Sequence, residues 1–183
     1  MVETYYLAPL SYSEISSLGS AAAGYIDHIY LHWSAGNYGQ AYEDYHICID
    51  DNGKMYDMSN GDLTERKAHT WHRNSNAIGI AMLCCAGGEC NSGPDADYGS
   101  EPPTDAQIES MAKCVAALCT SLGIEISPET VMTHCEAAVI DGYGPGSGDP
   151  ETRWDLWYLP QSGEQTGGEY IRGKAIWYQQ HAE

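Results

Sequence analysis

Residues 25–33 read YIDHIYLHW, and their alternation of apolar and polar side chains predicts a β-strand. Ile29, Leu31 and Trp33 share one face of that strand, which indicates a buried side. The other face ends at His32, and the small residues SAG follow directly. A histidine in this place is either a structural residue or a ligand presented to a cleft, so its meaning depends on partners elsewhere in the chain.

Three further segments predict strands of the same sheet. Residues 45–58, YHICIDDNGKMYDM, predict a hairpin, because Asn52-Gly53 suits a type I′ turn between two short strands. Residues 77–85, AIGIAMLCC, form an unbroken apolar run, which is typical of a central strand buried on both faces. Residues 129–134, ETVMTH, predict another short strand, which ends at His134.

Helical signals alternate with these strands. Thr104 and Gln107 predict a capping box after the polar loop 87–103, an apolar stripe follows, and Gly123 ends the helix. We therefore predict an α/β fold, a single domain with a central mixed β-sheet flanked by helices. Residues 25–160 form that domain, residues 1–24 an N-terminal extension packed on it, and residues 161–183 a C-terminal tail with a short helix.

The net charge of the chain limits the classes of molecule that it can bind. The 183 residues include 8 Lys and Arg against 26 Asp and Glu, and the formal net charge is −18. Such a surface repels the phosphates of nucleic acid and anionic lipid, so we expect no nucleic-acid partner. We expect a monomer, and no segment is apolar and long enough to predict a membrane span.

The cysteines and the N-terminus point to synthesis in the cytoplasm. Seven cysteines is an odd number without repeated spacing, which favours reduced, buried thiols over a disulfide scaffold. The first residues, MVETYYLAPLSYSEISSL, lack the basic and apolar regions of a signal peptide. Action outside the cytoplasm would then follow release or export by another route.

Two histidines suggest a metal site. His32 and His134 each end a strand-like segment, and ligand sites in α/β sheets lie beyond strand ends. A catalytic zinc takes three protein ligands and leaves one position open for water, so the third ligand would be a carboxylate or thiolate from a loop. The helical motif HExxH is absent. Spacing alone leaves open whether these histidines are ligands or structural residues.

Five motifs in order resemble the type-2 N-acetylmuramoyl-L-alanine amidases, a family that includes phage lysozyme amidases and peptidoglycan recognition proteins. They are LHWSAG (31–36), DYHICIDDNGKMY (44–56), AHTWHRNSNAIGIAM (68–82), THCEAA (133–138) and RWD (153–155). The resemblance implies a surface groove at the strand ends in which Zn²⁺ is bound by His32, His134 and Asp155. It implies catalytic roles for Tyr45 and Arg153. It also implies peptidoglycan as the substrate, cut between N-acetylmuramic acid and L-alanine.

The same resemblance assigns the surroundings of the metal. It implies substrate contacts that are made by His69, Thr70 and Asn76. It also implies that Glu136 orients a ligand histidine. Some relatives carry a glutamate after IGI as a proton-transfer residue, whereas this chain has Ala81, so the chemistry would depend on Tyr45.

Several alternatives remain open at this point. Asp149, in GSGDP, competes with Asp155 as the third ligand, although Asp155 has Arg153 two residues before it and apolar neighbours. His28 and His46 are interpreted as structural. For function we expect a phage or prophage endolysin or another lytic enzyme. The alternatives are an antibacterial amidase effector and a non-catalytic peptidoglycan-binding module.

Overall fold

The computed structural model describes residues 1–90 and 95–181, and its centre is a five-stranded mixed sheet with the order β5-β4-β6-β2-β7. These strands are β2 (His28–Trp33), β4 (Ile47–Ile49), β5 (Met55–Asp57), β6 (Ala77–Met82) and β7 (Val131–Thr133). All neighbours pair in parallel except β4 and β5, which are antiparallel. Two short strands, β1 (Val2–Glu3) and β3 (Gln40–Ala41), form a separate antiparallel pair. The mixed α/β fold is confirmed.

The described residues include four α-helices: α1 (Tyr12–Ala22), α2 (Asp105–Leu122), α3 (His134–Asp141) and α4 (Gly167–Gln180). Helices α2, α3 and α4 contact the central sheet. The predicted capping box of Thr104 and Gln107 begins α2, and Gly123 ends it with a left-handed backbone, φ 73°. Helices α1 and α4 both pack against α2. None of the described helices has both the length and the apolar character needed to cross a bilayer.

The central strand is buried as its apolar run predicts. Every residue of β6 is buried, and β2 and β4 lie on its two sides. One face of β2 contributes Ile29, Leu31 and Trp33 to the main core beneath the helices. Tyr30, on the opposite face, belongs to a smaller cluster, so the alternation in residues 28–33 assigns the two faces correctly.

The hairpin forms, but its turn differs from the prediction. A type I′ turn needs positive φ at both central residues, whereas only Gly53 has it in this loop, at φ 80°. The backbone N–H of Gly53 donates to the Asp50 carbonyl at 2.9 Å, and that of Asp50 to the Lys54 carbonyl at 2.9 Å. The type I′ assignment was wrong, because the loop spans more residues than Asn52 and Gly53 and needs one left-handed position.

The C-terminal segment takes part in the main core. Ile171 and Ala175 of α4 are fully buried in the cluster that also contains the strands. The helix predicted in the tail is therefore 14 residues long and begins at Gly167. The division into extension, domain and tail stays a prediction. Residues 91–94 of the predicted loop and residues 182–183 of the predicted tail lie outside the described residues.

All seven cysteines, which lie within the described residues, are free thiols, and six of them are buried. Burial raises the pKa of two of these thiols, Cys48 and Cys119, to about 12. A buried neutral thiol packs as a small apolar group and reacts slowly. The cysteines thus belong to the packing of the domain.

Candidate metal centre

Two histidines and one aspartate meet at the carboxyl ends of the parallel strands. His32 is the second-last residue of β2, and His134 is the first residue of α3, directly after β7. Strands β2 and β7 are parallel neighbours, so both histidines reach the same edge of the sheet. The strand predicted to end at His134 ends at Thr133 instead, because His134 and Cys135 belong to the first turn of α3.

The three side chains are close enough to share one ion. Nδ1 of His32 lies 3.1 Å from Nδ1 of His134 and 2.9 Å from Oδ2 of Asp155. Nδ1 of His134 lies 3.2 Å from the same carboxylate oxygen. All three residues are buried, and they form a group that could hold a metal ion.

These distances fit a tetrahedral ion. Ligand atoms bound to zinc at about 2.0–2.1 Å stand about 3.3–3.4 Å apart, because they occupy the corners of a tetrahedron. The observed separations of 2.9, 3.1 and 3.2 Å are within a few tenths of an ångström of that value. Two imidazoles and one carboxylate are also a donor set of catalytic zinc sites. The residues therefore fit zinc.

The charges of the cluster match a cation. Burial lowers the pKa of His32 to about 4, so this imidazole is neutral near pH 7 and has a lone pair to offer. Burial alone would raise the pKa of Asp155, but His134 and His32 together outweigh it and hold the pKa below its usual range. The site thus offers the neutral imidazole of His32 and one negative oxygen from Asp155.

Thr70 fixes the orientation of His32. Its hydroxyl oxygen lies 3.2 Å from Nε2 of His32 and 2.9 Å from Nδ1 of His69. With the Nδ1 lone pair of His32 directed at an ion, its Nε2–H donates to Thr70, and the Thr70 hydroxyl donates to His69. Thr70 is fully buried beside His32, and its predicted contact with substrate stays a prediction.

His69 packs closely against β6 because the strand has a glycine, Gly79, at that position. A Cβ added to Gly79 would come within 2.5 Å of Cγ of His69, closer than real atoms approach. Gly79 therefore makes room for the ring, which also lines the cavity above the cluster. The predicted substrate contact of His69 stays a prediction.

A tight turn holds Asp155. The backbone N–H of Trp157 donates to the Trp154 carbonyl at 2.9 Å, and Leu156 has a positive φ of 60°. Such a backbone is strained for leucine, but the Leu156 side chain is fully buried in the core. The backbone N–H of Cys135 also donates to the Asp155 carbonyl at 3.3 Å. The carboxylate is therefore presented by a fixed backbone.

Asp149 takes a different place. It is exposed at the rim of the cavity, where its Oδ1 accepts the backbone N–H of Glu151 at 2.8 Å. The group that could hold an ion contains Asp155 and not Asp149. The geometry of the described residues therefore favours Asp155 over its competitor.

A cavity of about 850 Å³ opens above the cluster. Tyr45 lines it, and the Tyr45 ring centroid lies 5.1 Å from that of His32. Burial, together with the nearby charge of Asp155, raises the pKa of the Tyr45 phenol above its usual 10. The phenol is therefore protonated at neutral pH and can act as a hydrogen-bond donor beside the cluster.

Two predicted site residues lie farther from the ligands. Arg153 is about half exposed at the cavity rim, where Nη1 donates to the Glu151 carbonyl at 2.9 Å. Asn76 precedes β6, at the edge of the sheet opposite His32, and donates to the Tyr25 carbonyl at 2.8 Å. Asn76 is not among the residues that line the cavity, and its predicted substrate contact stays a prediction. The catalytic role of Arg153 stays a prediction.

Glu136 and Ala81 complete the comparison with the motifs. Glu136 does not bond a ligand ring, because its carboxylate accepts the backbone N–H of Thr133 at 2.8 Å and pairs with Arg172. Its predicted role in orienting a histidine would therefore act through the backbone around His134 and not through a bond to the ring. Ala81 stands directly opposite His32 in the register of β2 and β6. A glutamate there would face the cluster, and this chain has a methyl group instead.

Sequence reasoning missed Tyr143. This residue lines the cavity from the loop after α3, and its ring centroid lies 6.1 Å from that of His134. Burial raises its pKa to about 12, so its phenol is also neutral. No periodic pattern marks Tyr143, because it stands in the glycine-rich run DGYGPGSG. Its place depends on how that loop packs, which a local pattern does not encode.

Acid should destabilise the fold in part through His46. Its Nε2–H donates to the Glu65 carbonyl at 2.8 Å, and its Nδ1 accepts the Gly79 N–H at 3.0 Å, so the fold requires the neutral ring. Burial lowers its pKa below the value of about 6.5 expected in the unfolded chain. The unfolded chain binds the extra proton, so stability is full above pH 6.5 and falls as the pH drops below it.

The measurement is the thermal midpoint as a function of pH. His46→Asn should show a shallower loss between about pH 6.5 and pH 5 than the wild type, because one buried titrating group is gone. His72→Asn is the matched control, since His72 is exposed and should leave the slope unchanged. Equal slopes in wild type and His46→Asn would contradict this account.

The fold and the cluster together define the class of protein: an α/β domain with a candidate mononuclear metal centre in a surface groove. Residues 22–151 match the family model Amidase_2, described as N-acetylmuramoyl-L-alanine amidase. The chain belongs to this family, which confirms the resemblance. The matched range contains His32 and His134 and ends before Asp155, so the assignment of Asp155 rests on the geometry.

Solved structures with similarity to the chain include two amidases from Clostridium intestinale URNW. The endolysin N-acetylmuramoyl-L-alanine amidase LysCS is 18% identical, with 70% of this chain and 74% of that chain covered and a TM-score of 0.42. The N-acetylmuramoyl-L-alanine amidase LysC is 18% identical over 70% and 76%, with a TM-score of 0.41. The PGRP-Hd from Alvinella pompejana is 17% identical over 60% and 77%, with a TM-score of 0.38. No curated protein matches the sequence.

Proposed function

We propose that this protein is a zinc-dependent N-acetylmuramoyl-L-alanine amidase that hydrolyses the amide between N-acetylmuramic acid and L-alanine in peptidoglycan. Membership of the amidase family supports the reaction class. The single observation that carries the zinc dependence is the cluster of His32, His134 and Asp155, whose donor atoms stand 2.9–3.2 Å apart beneath an open cavity. In this proposal these three residues bind Zn²⁺.

In the proposed reaction, different residues of the chain have different roles. When bound, zinc supplies a Lewis acid and lowers the pKa of a coordinated water to about 7. Tyr45 donates a hydrogen bond to the carbonyl oxygen that gains negative charge as the tetrahedral intermediate forms. Because its pKa is raised, Tyr45 keeps its proton through this step. Thr70 holds His32 in the orientation that directs Nδ1 at the ion.

The cavity walls bind the substrate in this scheme. His69 lines the cavity with its ring centroid 5.5 Å from that of His32, and Arg153 lies at the rim with its side chain about half exposed. An arginine remains charged at any working pH, so Arg153 binds or stabilises negative charge and does not transfer protons. The half-exposed rim suits a carboxylate or carbonyl group of the stem peptide.

The test is digestion of purified peptidoglycan with mass analysis of the products. An amidase releases free stem peptides and leaves glycan strands without new reducing ends. The digestion is repeated after treatment with a chelator and after zinc is restored, and activity should disappear and return. New reducing ends without free peptides would contradict the amidase proposal. Full activity after verified metal removal would contradict the proposed zinc dependence.

Within this reaction class we propose a lytic role, as a phage or prophage endolysin. The antibacterial effector shares the chemistry, and a non-catalytic wall-binding module shares the groove. Gene neighbourhood separates the first two, since a holin gene beside this one supports the endolysin and an immunity gene supports the effector. The digestion of peptidoglycan distinguishes the non-catalytic module, because such a module binds peptidoglycan without releasing peptides.

A further inference from the structure

Helix α4 reaches the metal centre through one buried arginine. Arg172 donates from Nη1 to the Val131 carbonyl at 2.9 Å and to Oε2 of Glu136 at 2.8 Å. Its Nη2 donates to Oε1 of Glu136 at 2.7 Å. Arg172 is only 7% exposed. One guanidinium therefore ties the strand before His134 to the helix turn after it.

The same carboxylate holds the start of α3. Oε2 of Glu136 accepts the backbone N–H of Thr133 at 2.8 Å, and the Thr133 hydroxyl accepts the backbone N–H of Glu136 at 3.1 Å. This capping box encloses His134, which stands between the two residues. The guanidinium thus acts on the backbone on both sides of the ligand, without touching its ring.

The first turn of α4 approaches both ligand segments closely. A Cβ on Gly168 would lie 2.4 Å from Oε1 of Glu136. A Cβ on Gly167 would lie 2.2 Å from the carbonyl oxygen of Leu156, the residue after Asp155. The Gly167 N–H also donates to the Trp157 carbonyl at 2.9 Å. Only glycine fits at position 167, where the neighbour is backbone, and this contact does not involve Arg172. Gly168 instead makes room for the Glu136 carboxylate that Arg172 binds.

We propose that α4 positions the metal ligands. Arg172 is the positioning residue for His134, and Gly167 and Gly168 allow the helix to pack closely against the segments that carry His134 and Asp155. The inference rests on the zinc centre of the proposed function and extends it to a helix that lies outside the matched residues 22–151. In a zinc site the metal–ligand distances stay within about 0.2 Å of their standard values, so the ligands must be held in place. Loosening the backbone around His134 therefore weakens zinc binding before it unfolds the domain.

The same helix offers matched controls. Lys174 forms an ion pair with Glu109 of α2, so it also anchors α4, but it does not contact the ligand segments. A Cβ on Gly173 would meet nothing within 4 Å. Lys174→Met therefore tests the loss of a helix anchor, and Gly173→Ala tests a glycine replacement in the same helix.

The experiment measures the zinc dissociation constant by competition with a chromophoric chelator, together with the visible spectrum of the Co²⁺-substituted protein. Arg172→Met should bind zinc about 10–100-fold more weakly and show an altered Co²⁺ spectrum, as expected when support around a ligand is lost. Arg172→Lys should be intermediate, because lysine keeps the charge but not the forked geometry. Gly168→Ala should also weaken zinc binding, while Lys174→Met and Gly173→Ala keep the wild-type affinity.

Circular dichroism and the unfolding midpoint show which variants fold. If Arg172→Met does not fold, the variants Arg172→Lys, Glu136→Gln and Gly168→Ala replace it. Weaker zinc binding in these three variants supports the proposal. Wild-type affinity in the folded variants, or equal losses in Lys174→Met, overturns it and leaves Arg172 as a simple helix anchor. A wild-type protein that binds no zinc would instead overturn the proposed function itself.

Discussion

Purified Asp155→Ala protein should contain no zinc and release no stem peptides, whereas Asp149→Ala protein should keep a full complement of zinc. Asp155 supplies the only negative charge of the three-residue group, and its Oδ2 lies 2.9 and 3.2 Å from the two imidazole nitrogens. Removing it leaves only the two histidine nitrogens. A catalytic zinc site needs three protein ligands, so the metal is lost.

Asp149 cannot replace Asp155 as a ligand because of the backbone on which Asp149 stands. Asp149 stands in the run GPGSGDP with left-handed glycines at 146 and 148, and its side chain already accepts the Glu151 N–H at 2.8 Å. Drawing this carboxylate to the histidines would cost the entropy of ordering the loop. Asp155 needs no such movement, because Leu156 anchors its turn in the core.

Metal content is measured by elemental analysis after dialysis against buffered free zinc, and circular dichroism verifies that both variants fold. The paired design separates a ligand from an acidic residue that merely lines the same cavity. The reverse pattern, with zinc lost from Asp149→Ala and kept in Asp155→Ala, would move the third ligand to position 149. It would also remove the reason to place Arg153 beside the centre.

The parts of the site that follow from local patterns were predictable. Alternation in residues 28–33 assigns the faces of β2, and a capping box with a helical stripe predicts α2. The position of His32 at a strand end follows from the same pattern, since parallel strands open their sites at the carboxyl edge. These features depend on residues close in sequence, so a single chain is enough to read them.

The parts of the site that depend on packing across the fold were not predictable from local patterns. Arg172 and Glu136 are 36 positions apart, and no periodicity relates an arginine on the last helix to a cap on α3. Thr70 looks like a surface loop residue in AHTWHR, yet it is fully buried beneath His32. Asn76 belongs to the same motif segment but turns to the opposite edge of the sheet. Sequence order places a motif near the site without saying which of its side chains face the cavity.

Replacing Tyr45 by phenylalanine should lower the turnover number about a hundredfold and leave the zinc content unchanged, because one hydrogen-bond donor to the developing negative charge is lost. Tyr45 lines the cavity beside His32 but is not part of the group that could hold the ion. The Michaelis constant should change little, since the donor acts more strongly on the transition state than on the bound substrate. Tyr42→Phe is the matched control, since Tyr42 lies against Gly36 and outside the cavity lining.

The pH dependence of this loss distinguishes a donor from a base. Burial and the charge of Asp155 raise the pKa of Tyr45 above its usual value of 10, so the phenol stays protonated from about pH 6 to pH 9. A neutral donor gives the same fold loss in Tyr45→Phe throughout that range, because its protonation state does not change. A loss that grows with pH would mean that the phenolate acts as a general base, and near-normal turnover would transfer the donor role to another residue, with Arg153 the first to be tested. Because zinc content is followed in the same samples, neither result can be mistaken for loss of the metal.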